Sequence, residues 1–143
     1  MTLRTALGRN LTMLLLFGIV AASLSAQEKE WSLFGSWTNP EYDKTGVAWG
    51  KVVYGSDNII SLYQLTSDTT LIDSGPYVIE KDWTESGEHW FKVKLSFADG
   101  TYYEIDKLTD GGKTYESVFT TGHYPATFDK SGETCSYTIR HRQ

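Results

Sequence analysis

Cysteine is almost missing from this chain: Cys135 is the single one. No intramolecular disulfide can form, so the fold must stand on its hydrophobic core. Cys135 alternates with Tyr137 and Ile139, the pattern of a buried packing thiol. Histidine is limited to His89, His123 and His141. No pair of them has zinc-ligand spacing with cysteine or carboxylate support, so no metal is expected. Basic residues are outnumbered, 13 against 18 acidic, for a formal net charge of −5. That balance argues against nucleic acid or an anionic membrane as a partner held by bulk charge. Gly-x-Ser-x-Gly, His-Glu-x-x-His and phosphate-loop motifs are all absent, which points away from an enzyme and from any cofactor. Proline is rare, with 3 in the chain, and no helical periodicity follows the first 26 residues.

Those first residues, 1–26, read as a secretory signal peptide. Arg4 and Arg9 form a basic start, and Leu11 to Ala22 is apolar but too short to span a bilayer comfortably. Ala21-Ala22-Ser23-Leu24-Ser25-Ala26 supplies small residues for cleavage after Ser25 or Ala26. The expected mature domain is 27–143, exported to the periplasm or the extracellular space, with no stable membrane span after cleavage. The leader carries no acidic residue, so its removal makes the protein more negative still.

The remainder alternates in short segments. Strands are expected over Ser32–Thr38, Val47–Tyr54, Ile59–Leu65, Leu71–Trp83, His89–Ala98, Thr101–Leu108, Lys113–Thr120 and Glu133–Arg142. Asn39 to Gly46 and Thr121 to Gly132 read as loops. Turns are expected at 55–58, 66–68, 85–88, 99–100 and 110–112, where Gly, Asn and Asp accumulate. Ser74-Gly75-Pro76 inside the fourth strand predicts a bulge, a break or an edge, because proline offers no ladder donor. Eight strands in sequence order fit a closed barrel or a two-sheet sandwich. Closure removes exposed edges, which favours an antiparallel up-and-down meander β-barrel.

Gly35-Ser36-Trp37-Thr38-Asn39-Pro40, eight meandering strands and a late arginine together resemble the lipocalins and their calycin relatives, above all small bacterial lipocalin-like proteins. Tyr102-Tyr103-Glu104-Ile105-Asp106-Lys107-Leu108 fits the same flavour. The resemblance implies that Trp37 closes one end of the barrel, with Arg140, or as second choice Arg142, packed across its indole. It also implies a binding protein, although this chain is shorter than the larger lipocalins and shows no C-terminal helix.

Strand alternation assigns Phe91, Val93, Leu95, Phe97, Tyr103, Ile105, Tyr115, Phe119, Tyr137 and Ile139 to the interior. Phe91, Val93, Tyr103, Tyr115, Phe119 and Tyr137 are the expected ligand contacts. Apolar walls with a few phenols suit a small hydrophobic or amphipathic molecule; the same residues could equally fill the barrel. A filled barrel would leave a protein-interaction module, with Trp90 either an exposed anchor or the cover of a strand end. An enzyme at the barrel mouth is a third reading. Glu104 and Asp106 share a strand face and can raise one another's pKa, yet such pairs are usually outward and hydrated.

Overall fold

The computed structural model describes residues 31–45, 48–65 and 69–143. The expected leader and the expected turn at 66–68 therefore lie outside the described residues. Leu33–Gln143 forms one compact unit. It contains β1 (Gly35–Thr38), α1 (Glu41–Thr45), β2 (Lys51–Tyr54), β3 (Ile59–Gln64), β4 (Thr70–Glu85), β5 (Glu88–Phe97), β6 (Gly100–Thr109), β7 (Thr114–Thr121) and β8 (Ser136–Arg142). The strands pair in sequence order into a closed antiparallel barrel, so the meander expected from the sequence is the architecture found.

One helix appears among the described residues where a loop was expected. Asn39 Oδ1 accepts the Glu41 N–H at 3.1 Å, which caps the turn. Pro40 cannot supply a donor that a first helical turn lacks a partner for. Glu41 and Asp43 lie in the first turn and Lys44 in the last, the charge order the helix dipole favours.

Closure depends on a short seam. β1 meets β8 through Trp37 opposite Arg142 and Thr38 opposite His141. Side chains and chain ends extend that seam. Asn39 Nδ2 donates to Ile139 O at 3.0 Å, the Ile139 N–H donates to Tyr42 Oη at 2.7 Å, and Gln143 N–H donates to Ser36 O at 3.0 Å.

β4 runs unbroken through Ser74-Gly75-Pro76. Its first half pairs with β3 as far as Pro76, and from Tyr77 onward it pairs with β5. The proline thus sits where the strand changes neighbours, and its missing donor interrupts neither ladder. Register shifts lie to either side, at Leu62/Tyr63 against β3 and at Ile79/Lys81 against β5, so no bulge or break falls at Ser74-Gly75-Pro76 itself. Gly75 allows the corner: a Cβ there would stand 1.9 Å from Ser96 O. At the β4–β5 hairpin, Ser86 and Gly87 both take positive φ, 52° and 76°, the backbone of a tight turn that matches strand twist.

The barrel is sealed at the end that holds the β2–β3, β4–β5 and β6–β7 turns. Trp37 is fully buried there, with its ring 5.4 Å from that of Tyr115. Its Nε1–H donates to Leu33 O at 2.8 Å, which satisfies the buried indole donor. Arg142, not Arg140, covers the indole, with its guanidinium carbon 4.2 Å from the ring centroid. The register decides this, because Arg142 is the direct cross-strand partner of Trp37. Arg142 also donates to Gly112 O at 3.0 Å and Phe34 O at 2.9 Å.

Register also corrects four of the ten positions expected in the interior. Phe91 faces Asp106, Val93 faces Glu104 and Leu95 faces Tyr102. Glu104 in turn faces Phe119, and Tyr115 faces Arg140. The inward set of β6 is therefore Tyr102, Glu104, Asp106 and Leu108, while Tyr103 and Ile105 point outward. In β8, Thr138 and Arg140 point inward, while Tyr137 and Ile139 point outward.

The outward aromatics are covered by the connection between β7 and β8. Tyr124 packs edge-on to Tyr103 at 5.1 Å and donates to Glu80 Oε2 at 2.6 Å. Phe128 meets Trp90 at 5.2 Å. Lys107 Nζ lies 5.1 Å from the Trp90 ring centre and 4.9 Å from that of Phe128. The same ammonium approaches Glu116 at 3.4 Å and Glu88 at 3.6 Å. Lys130 pairs with Glu116 from the connection itself. Trp90 stacks on Trp83 at 6.0 Å, so it covers neighbouring strand ends. Cys135 is buried and free, with its Sγ 3.5 Å from Asp129 O.

Candidate functional site

Above the sealed end the barrel holds a cavity of about 360 Å³. Val52 of β2, Ile60 and Leu62 of β3, Leu95 and Phe97 of β5 and Phe119 of β7 make its apolar walls. Period-two alternation aims these side chains inward from each strand. The mouth lies at the end that carries α1 and the β5–β6 turn, where Tyr42, Trp49, Ile72, Asp99 and Tyr102 contribute.

Glu104, Tyr115, Thr138 and Arg140 give the cavity a polar floor. Beneath and beside them four groups form one hydrogen-bonded knot. Tyr54 O–H lies 3.1 Å from Glu104 Oε2, 3.3 Å from Asp106 Oδ2 and 3.1 Å from Tyr115 Oη. Tyr115 O–H lies 3.3 Å from Glu104 Oε2 and 3.2 Å from Asp106 Oδ1. Two carboxyls and two phenols are thus buried together, and the carboxyls cannot both ionise cheaply. Burial pushes the Asp106 carboxyl well above its ordinary range, and the neighbouring Glu104 charge pushes it further. Burial also raises Glu104, against the pull of hydrogen bonds from Tyr54 and the charge of Arg140. Both shifts favour the protonated form of the pair. Burial raises both phenols too, reinforced by the two carboxyls, so Tyr54 and Tyr115 remain donors.

Arg140 is buried in this floor without a carboxylate in contact among the described residues. Nε and Nη2 both donate to Trp49 O, at 3.2 and 2.7 Å, and Nη1 donates to Thr138 Oγ1 at 2.9 Å. The Tyr42 ring lies under its guanidinium at 5.2 Å. Arg140 therefore ties the long β1–β2 connection to β8 and lends positive potential to the Glu104 side of the floor.

Of the residues expected to touch a ligand, Tyr115 and Phe119 line the cavity. Phe91 and Val93 are inside the barrel but packed in the sealed part, away from the cavity lining. Tyr103 and Tyr137 lie on the outer face, under the β7–β8 connection. The expected role of Arg140 on Trp37 passes to Arg142, and Arg140 becomes part of the cavity floor. Sequence reasoning missed Tyr54, Val52, Ile60 and Leu62 as interior positions, although the alternation of β2 and β3 carried that signal. The Glu104–Asp106 pair was visible as two carboxyls on one face. Nothing local announced that this face points inward.

No protein family, curated protein or solved structure matches the chain.

Proposed function

We propose that this protein binds a small hydrophobic or amphipathic molecule inside its barrel, as an exported binding protein of the lipocalin-like kind. The observation that carries the reading is the cavity of about 360 Å³ with apolar walls and a polar floor. Ligand sites begin at roughly 300 Å³ and combine apolar lining with a few placed polar groups. A filled barrel, the competing reading, would leave less room than this.

Two measurements test the reading. The neutral solvatochromic dye N-phenyl-1-naphthylamine is expected to gain fluorescence with a blue shift when mixed with the native protein. Leu62→Trp, which puts an indole into the cavity from its wall, is expected to abolish that gain while the circular dichroism of the barrel persists. A dye that binds wild type and variant alike would move the site elsewhere, and no binding at all would end the proposal. Export is tested separately, by determining the N-terminal residue of protein recovered from the medium or the cell envelope.

A further inference from the structure

The charge of the cavity lining is one-sided. Asp43, Asp73, Asp99 and Glu104 contribute carboxyls, while Arg140 is the one basic residue in the lining among the described residues. Glu104 lies in the floor within reach of the positive charge of Arg140, which offsets it. The aspartates nearer the mouth have no such offset. No ion pair joins Asp43, Asp73 or Asp99 to a basic side chain among the described residues.

The placement of these aspartates is independent of the charge count. Tyr102 O–H donates to Asp99 Oδ2 at 2.7 Å. That hydrogen bond raises the Tyr102 phenol, and the charges of Asp99 and Asp73 add to the effect, so both aspartates bear on one rim residue. Asp43 faces the cavity from α1, with the Gly50 N–H donating to its Oδ1 at 3.2 Å. Its Oδ2 is closed off from solvent and has no hydrogen-bond donor among the described residues. The rim is also aromatic, with Tyr42, Trp49, Phe97 and Tyr102. Ring faces attract cations and do nothing for anions.

From this arrangement we infer that the cavity takes a small organic cation, an ammonium group on an apolar body. Its charge sits at the rim among Asp43, Asp73, Asp99 and the aromatic rings, and its body lies against Val52, Ile60 and Leu95. The inference rests on the binding reading and sharpens it, since a carboxylate-headed amphiphile would enter against the sign of the rim.

Displacement of N-phenyl-1-naphthylamine by three probes of similar shape tests it: phenethylammonium, 3-phenylpropionate and 2-phenylethanol, at pH 7. The amine is expected to compete at least about tenfold better than the acid, and about threefold better than the alcohol, as a partly screened charge interaction would give. The preference for the amine should shrink as salt rises. Asp43→Asn and Asp99→Asn should each lower the ratio of amine to alcohol affinity, while Glu133→Gln, an exposed change of the same net charge, should not. An acid that competes as well as the amine overturns the inference. So does a preference that neither salt nor either aspartate variant alters. If the dye binds but no amine displaces it, the cation inference falls and the binding reading stands. If the dye does not bind, both fall.

Discussion

Arg142 covers the Trp37 indole from the adjacent strand, 4.2 Å above the ring centre, while Arg140, on the same face of β8, reaches instead to Trp49 O and the Tyr42 ring. Two arginines one step apart on a strand face thus serve different parts of the barrel. One seals it and the other floors the cavity beneath its mouth.

Trp37→Ala should therefore destabilise the barrel by about 3–5 kcal/mol, the usual cost of truncating a buried aromatic. Arg142→Met should cost about 1–2 kcal/mol from the lost cation–π contact and more from the carbonyls it leaves without a donor. Urea denaturation of both single variants and the double variant measures the coupling. Coupling indistinguishable from zero would mean that the stacked geometry contributes nothing.

Gly75→Ala is expected to be among the most damaging small substitutions. The added methyl would meet the Ser96 carbonyl, a backbone atom that cannot rotate away. Overpacking of this kind costs about 1–3 kcal/mol. Gly87→Ala meets no atom within 4 Å but keeps a positive φ, so it should cost less, about 1 kcal/mol. Thermal melts of the two variants side by side would settle the order.

The carboxyl knot sets a pH dependence. The folded-state pKa values of Asp106 and Glu104 lie above their unfolded values. Their contribution to stability is therefore fully present below the ordinary carboxylate range and declines as pH rises toward the raised values. For one proton the slope inside that window is about 1.4 kcal/mol per pH unit. Asp106→Asn removes the titration while keeping the shape. The stability of wild type minus that of the variant should fall as pH rises from about 4, then level off. A flat or rising difference in urea midpoints across that range would contradict the buried pair.

Phe128 holds the long β7–β8 connection to the outer face through Trp90 and Tyr137. Phe128→Ala should cost about 1–3 kcal/mol and speed amide exchange in residues 122–135 while leaving the β2–β3 amides unchanged. It should also let Lys107 and Glu116 hydrate. Uniform exchange throughout the barrel would show that the connection is part of the global unit and not a separable cover.

Much of the barrel was legible in the residues. Turn chemistry marked the β2–β3, β4–β5, β5–β6 and β6–β7 connections, and the period of two in 89–98 placed Phe91, Val93 and Leu95 correctly. The candidate site was less legible. In β6 the more apolar face, Tyr103 and Ile105, is outside, and the face with Glu104 and Asp106 is inside. Alternation could not reveal this because the β7–β8 connection buries the outer face as well. Val118, an outward residue of β7, is as buried as Val93 inside.

By itself, then, the chain specified a succession of strands, where it turns, and that one tryptophan near its start belongs in the core. These depend on residues close in sequence: glycine and aspartate at turns, branched and aromatic side chains between them. Which arginine meets that tryptophan, which face of β6 looks inward, and that two carboxyls are buried together were decided only on closure. Those outcomes depend on strand register across the seam and on a cover laid down from a distant loop, and no local pattern encodes either.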